Sequence, residues 1–282
     1  MKAVVTLRPS ESKRLIAKAV ADMDAVQKAW DRAYMLIADG TTNAFIKQEL
    51  VDDRSIGAGG STIGLSTAGL LCVNIPKNRK SYANVFYKGK PVEGRSFAEA
   101  LADHHSETVV IKGANAIDPD GNIGIITTGF DGGTIPRVIG PITSKGITFI
   151  TPVGLEKLVP SVPQAAKAFN GAQNIDITMG AAGGMFVLTN TIVITEIEAA
   201  KQLFDIEGTL VAAGGIGGNE GAVTMVFEGN EENIKGFVEF LEKEVKGEPA
   251  IKGIKGECKT CRYQDCRYSG LDESEQPEWM KL

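Results

Sequence analysis

Three polar side chains flank a small-residue turn in the run Thr108-Val-Val-Ile-Lys-Gly-Ala-Asn-Ala-Ile-Asp-Pro-Asp-Gly-Asn-Ile123. They are Lys112, Asn115 and Asp118, and they follow the apolar β-branched stretch Val109-Val110-Ile111. In open α/β sheets, ligands sit at the carboxyl ends of strands. There Lys112 can hold an anion, Asn115 can donate and accept hydrogen bonds, and Asp118 can act as a base or orient a neighbour. Asp118-Pro119-Asp120-Gly121 also reads as a plain turn, since each of these residue types favours one.

Two further segments offer anion-binding backbone. Asp39-Gly40-Thr41-Thr42 follows the apolar stretch Met35–Ala38 and opens a helical pattern over Thr42–Leu50. Free N–H groups at a helix start, with hydroxyls beside them, suit an oxyanion; a strand-to-helix turn with Thr as its cap explains the same residues. In Gly132-Gly133-Thr134-Ile135-Pro136-Arg137, the glycines open a loop and Arg137 can clamp an anion through paired hydrogen bonds. A helix start with a solvated Arg is the alternative. Near the end of the chain, Cys258, Cys261 and Cys266 form a C-x2-C-x4-C pattern that can share a zinc ion or an iron–sulfur cluster. Closing a four-thiolate site requires the distant Cys72 or a partner chain. A surface thiol group is the other reading.

The ordered pair of strand-end motifs resembles the superfamily of ribose-5-phosphate isomerase A, glucosamine-6-phosphate deaminase and the CoA transferases. The Lys112–Pro119 segment is similar to that isomerase's V-I-D-G-A-D-E-x-D-P run. Leu36–Phe45 is similar to the superfamily's first strand–loop–helix, whose Gly/Ser/Thr-rich loop binds a phosphate. The resemblance spans roughly residues 30 to 160. It implies an α/β fold and a small phosphorylated ligand. The chain departs from the catalytic pattern, however. Lys112 and Asn115 stand where the isomerase has carboxylates, and Thr127–Thr134 lacks the isomerase's Lys-Gly-x-Gly-Gly run. Shuttling a proton along a sugar needs a positioned carboxylate, so isomerisation by that mechanism is not expected.

The elements that must position these residues are legible in outline. Residues 8–33 carry apolar positions at helical spacing, as do 195–204 and 230–245. Strands are expected at 35–38, 109–111, 123–126, 147–150, 187–194, 209–213 and 222–227. The expected fold is α/β: a Rossmann-like open sheet with helices on both faces over 1–175, a smaller α+β (ferredoxin-like) unit over 176–255, and a loosely ordered cysteine-containing tail over 256–282. Residues 76–95 read as a polar hairpin or long loop.

Composition narrows the function classes. The 282 residues have a net charge of −5 and 43% hydrophobic residues, with basic residues scattered along the chain. Neither a nucleic-acid partner nor a membrane partner is expected. The absence of a secretory leader, of a membrane-length apolar run and of a disulfide framework points to a cytoplasmic protein. With only two histidines, a histidine-rich zinc site is disfavoured. The expected partner is a small anionic metabolite, handled by an enzyme or bound by a non-catalytic sensor. A metal- or iron–sulfur-binding accessory protein is the third reading. The oligomeric state, a homo-oligomer included, is left open.

Overall fold

The computed structural model describes residues 1–74, 77, 79–253 and 255–281; positions 76 and 78 of the expected 76–95 loop lie outside them. The chain opens with strand β1 (Lys2–Leu7), followed by helices α1 (Pro9–Asp22) and α2 (Asp24–Arg32). The helical stretch expected over 8–33 is split at Met23, which is extended. Strand β2 (Tyr34–Ile37) leads to α3 (Thr41–Val51). Two hairpins follow, β3 (Gly64–Thr67) with β4 (Leu70–Val73) and β5 (Val85–Tyr87) with β6 (Lys90–Pro91). Then come α4 (Phe97–Ala102), β7 (Val109–Ile111), β8 (Ala116–Ile117), β9 (Ile123–Thr127), α5 (Ile135–Lys145), β10 (Thr148–Pro152) and α6 (Val162–Ala168). The last part holds β11 (Gly184–Leu188), β12 (Ile192–Ile194), α7 (Glu196–Phe204), β13 (Glu207–Gly214), β14 (Ala222–Glu228) and α8 (Glu231–Phe240).

The fold is α/β. Its centre is a six-stranded sheet in the order β12-β10-β7-β2-β5-β6. The first four strands run parallel, and β5 and β6 are antiparallel additions. Alternate residues of the central strands feed two cores. Met35, Ile37, Val109, Ile111 and Ile150 face a core shared with α1, α3 and α7. Leu36, Val110 and Phe149 face a second core under α4 and α5. Burial on both faces explains why these strands are uninterrupted apolar runs.

The smaller unit takes its first strand from the other end of the chain. β1 pairs with β14 and β14 with β13, in an antiparallel sheet covered by α7 and α8. The run expected as one strand over 187–194 is two strands, separated at Thr189–Thr191. β12 extends the six-stranded sheet beside β10, and β11 pairs with β9. Strands from both sides of residue 175 therefore share sheets. Helix starts follow the side chains available: Thr195 with Glu198, Ser96 with Glu99, and Asn230 each satisfy first-turn N–H groups. Among the described residues, no helix is long and apolar enough to cross a membrane.

The tail, expected to be loose, is packed. Met280 is fully buried and Tyr268 nearly so, in a small third core with Leu70, Cys258 and Cys266. Trp279 meets Tyr268 edge-on, its ring over the Gly69 turn of the β3–β4 hairpin. The polar composition of this segment hides a few large apolar anchors, which is why composition alone suggested disorder.

Candidate functional site

The carboxyl ends of β2, β7 and β10 lie side by side. Ala38 N donates to Ile111 O at 3.0 Å and Lys112 N to Ile150 O at 3.1 Å. The residues just past these ends, Asp39, Lys112–Ala114 and Val153–Lys157, therefore gather along one edge.

Around that edge the protein buries an unusual number of charges. Lys112 Nζ donates to Gly113 O at 3.2 Å and Lys157 Nζ to Ala114 O at 2.7 Å, so both lysines converge on the Gly113-Ala114 turn. Lys112 is partly exposed as a residue, yet its ammonium is surrounded by protein. Burial lowers its pKa to about 8, with the Asp39 carboxylate pulling the other way. The same two influences set Lys47, on α3, at about 8. Lys47 Nζ donates to Asn84 Oδ1 at 2.5 Å and lies 3.9 Å from Asp39 Oδ1. Burial brings Lys157 to about 8, and the positive charges of Lys13 and Lys112 add to the effect against Glu156 and Glu196.

The two acids are displaced in opposite directions. Burial, followed by the charge of Glu156, raises Glu196 to about 7. Glu196 accepts from Leu155 N at 2.9 Å. Burial opposes the charge on Glu156, but Lys13 and Lys157 outweigh it and hold that carboxyl below its ordinary value. Environments that push acids and bases toward neutrality mark sites of proton transfer.

Two acceptor oxygens here have no partner. Asn43, on α3 and fully buried, donates through Nδ2 to Ala38 O at 2.8 Å and leaves Oδ1 unused. Glu156 gives Oε1 to Lys13 and leaves Oε2 unused. Gly113 lies against Asn43: a Cβ there would be 3.7 Å from Asn43 Oδ1. Gly40, at φ 155°, starts α3, and its N–H donates to Ser61 O at 2.8 Å. The glycine-rich stretch 57–64 thereby closes over the Asp39–Thr42 loop, with Ser61 and Thr62 buried beneath it.

The structure does not gather all the residues singled out by sequence. Lys112, Asp39, Gly40, Thr41 and Thr42 belong to this edge. The Asp118 carboxylate accepts from Asp120 N, Asn122 N, Asn122 Nδ2 and Val162 N, holding a turn and the start of α6. Burial works against its charge, and these bonds outweigh it, lowering its pKa. Asn115 Oδ1 accepts from Ile126 N at 2.9 Å, fastening β8 to β9. Arg137, in the first turn of α5, forms an exposed ion pair with Asp131 across the Gly132–Thr134 loop that precedes the helix. No hydrogen bond or ion pair joins Asn115, Asp118 or Arg137 to the lysines among the described residues.

Lys13, Asn43, Lys47, Glu156, Lys157 and Glu196 were not singled out from the sequence. Lys47 had no local signal: Thr42, Asn43, Gln48 and Glu49 are polar neighbours on the same helix, and only the fold buries residues 42–48 together.

The cysteines come together at a second place. Cys72, on β4, lines a cavity of about 170 Å³ with Cys258, Cys261 and Cys266. All four thiols are free. Burial pushes the Cys258 thiol up, opposed by Lys255 and reinforced by the other three cysteines.

No family model matches the sequence, and comparison with curated proteins gave no match. Among solved structures, a D-ribose-5-phosphate isomerase in complex with phospho-erythronic acid aligns over 82% of this chain and 84% of its own, at 16% identity and a TM-score of 0.29. That likeness is too weak to carry an argument about activity, and the α/β class rests on the sheet itself.

Proposed function

We propose that the protein is an enzyme acting on a small, anionic, phosphorylated sugar-like metabolite bound at the carboxyl edge of β2, β7 and β10. One observation carries the reading: buried lysines gather at this edge together with two buried acceptor oxygens, Asn43 Oδ1 and Glu156 Oε2, that have no donor. Lys13, Lys47, Lys112 and Lys157 face Asp39, Glu156 and a Glu196 that is half protonated near pH 7. The excess positive charge suits a phosphate or carboxylate, beside the first-turn N–H groups of α3. Asn43 Oδ1 and Glu156 Oε2 call for hydroxyl donors. An anion that also carries hydroxyls answers both demands.

The chemistry available is proton transfer. A lysine near pKa 8 keeps a usable fraction unprotonated at neutral pH, and a glutamate near 7 can give or take a proton. Lys112, directly after β7 and donating to the Gly113 carbonyl, is the group proposed to meet the reacting end.

A thermal-shift series with phosphorylated sugars, phosphorylated sugar acids and the unphosphorylated parents tests the reading. A ligand at 100 times its Kd stabilises by about 2.7 kcal/mol, which for a chain of this size is a Tm rise of about 5 °C or more. The phosphorylated compounds should give that shift, and Lys112→Met should abolish it. A flat response to all of them refutes the proposal. Binding without turnover of any bound compound turns it toward the sensor reading.

A further inference from the structure

The cysteine cavity is separate from the strand-edge site, and the argument for it does not depend on that site. Its thiols come from opposite ends of the chain. Cys72 is on the β3–β4 hairpin, and the rest lie in two consecutive turns of the tail, where Cys261 N donates to Cys258 O and Cys266 N to Tyr263 O, both at 3.1 Å. The two parts are fastened together. Arg267 N donates to Thr178 O at 3.1 Å, Ala181 N to Leu71 O at 2.7 Å, and Gly180 has no room for a Cβ against Leu71 O.

Three features of the cavity point to an occupant. First, all four thiols line one cavity of about 170 Å³. A cavity of about 150 Å³ is large enough for a benzene-sized group. Second, Asn74 lines the cavity, is fully buried, and its Oδ1 has no partner. Third, Gly180 N donates to Cys266 Sγ at 3.3 Å, a backbone donor aimed at a ligating sulfur. Arg79 and Arg262 also line the cavity and can offset the negative charge of a thiolate-bound group.

Room decides between the metals that take four thiolates. A single zinc ion at about 2.3 Å from each sulfur draws tetrahedral thiolates to within about 4 Å of each other. Among the described residues, no three Cys, His, Asp or Glu side chains are placed to hold a metal ion. A cavity of about 170 Å³ lined by four thiols holds more than one ion and suits a multi-metal group. Stability argues the same way. The third core, of Leu70, Cys258, Cys266, Tyr268 and Met280, is small for the length of tail it must hold, and small cores are commonly completed by a metal staple.

We infer that Cys72, Cys258, Cys261 and Cys266 ligate an iron–sulfur cluster that clamps the tail to the β3–β4 hairpin. Ligation replaces the four thiol protons with bonds to iron.

The test is anaerobic reconstitution of the 282-residue chain with ferric iron, dithiothreitol and sulfide, the ferric iron supplying the oxidising equivalents that the cluster holds, followed by desalting. The expected product is brown, with iron and acid-labile sulfide bound in equal amounts. Cys72→Ser and Cys261→Ser should each retain at least fivefold less iron. Thr260→Ala, which removes a cavity-lining hydroxyl but no thiol, should retain the wild-type amount. Cys261 is half-buried in a tail turn, so its variant still tests ligation if Cys72→Ser fails to fold. A reduced wild-type chain that takes up no iron overturns the inference. So does a Cys261→Ser chain with wild-type iron content, or a wild-type chain that binds one zinc ion and excludes iron.

Discussion

Lys13 and Glu156, 143 positions apart, form a hydrogen-bonded ion pair at 2.6 Å, and the second oxygen of Glu156 has no partner. The pair joins α1 to the loop after β10, with side chains only 7% and 12% exposed. Removing one member of a buried pair costs about 3–5 kcal/mol, because the other charge is stranded. Glu156→Gln should therefore lower unfolding free energy by about 3 kcal/mol. Adding Lys13→Met should recover at least half of that loss. Urea unfolding of the four proteins in this double-mutant cycle decides it. Additive losses would mean that the two groups are not coupled.

Glu196 predicts a pH effect of opposite sign to the usual carboxylate. Its folded pKa is raised from 4.5 to about 7, by burial first and the charge of Glu156 second. Between those values the folded protein holds a proton that the unfolded chain has released. Stability from this group therefore falls as pH rises through that window and is level above it. A shift of this size corresponds to at most about 3 kcal/mol. Glu196→Gln keeps an acceptor for Leu155 N and has no proton to release. The variant should gain on wild type between about pH 4.5 and 7, with a constant gap above. Urea midpoints at several pH values are the measurement, and a gap independent of pH would show that Glu196 is ionised in the folded state.

Asp118 separates a structural carboxylate from a reacting one. Its four N–H donors come from its own turn and from Val162 at the start of α6. Asp118→Ala leaves them without an acceptor and should cost about 2 kcal/mol. Because its folded pKa is lowered, the wild-type advantage is present above pH 3.8 and fades as pH falls through the folded value. Ligand affinity at neutral pH should stay within about twofold of wild type, since no bond links Asp118 to the lysines. A large loss of affinity with unchanged stability would return Asp118 to the ligand site.

What the sequence disclosed followed local physics. Uninterrupted apolar runs such as Val109-Val110-Ile111 and Met35–Ala38 betray strands buried on both faces, and Thr195 with Glu198 betrays a helix start. Lys112 was visible because it stands directly after such a strand. Glu156, Lys157 and Glu196 were not, since their meaning depends on β10 lying between β7 and β12 in the sheet. The partnership of β1 with β14 was hidden for the same reason: it joins the two ends of the chain. Asp118 and Asn115 admitted two readings because a turn and a strand fastening need the same side chains as a ligand site, and in the structure they hold a turn and β9. Cys72 had no local signal at all, being one thiol in an apolar strand until the tail folds onto it.

Gly113→Ala and Arg137→Ala together test where the proposed anion binds. Gly113 does not need a left-handed conformation, and a Cβ there would meet Pro152 O at 3.6 Å and Asn43 Oδ1 at 3.7 Å, both ordinary contacts. Gly113→Ala should fold with wild-type stability, to within about 1 kcal/mol. Its methyl would nevertheless cover the unpartnered Asn43 oxygen, the acceptor proposed to receive a ligand hydroxyl. Affinity for a phosphorylated sugar acid should fall at least tenfold, about 1.4 kcal/mol. Arg137→Ala breaks only an exposed ion pair with Asp131, and exposed pairs contribute little. It should leave affinity unchanged. Isothermal titration of both variants with the same compound reads the contrast directly. The reverse pattern, tight binding by Gly113→Ala and loss in Arg137→Ala, would move the anion from the edge of β2, β7 and β10 to the loop before α5.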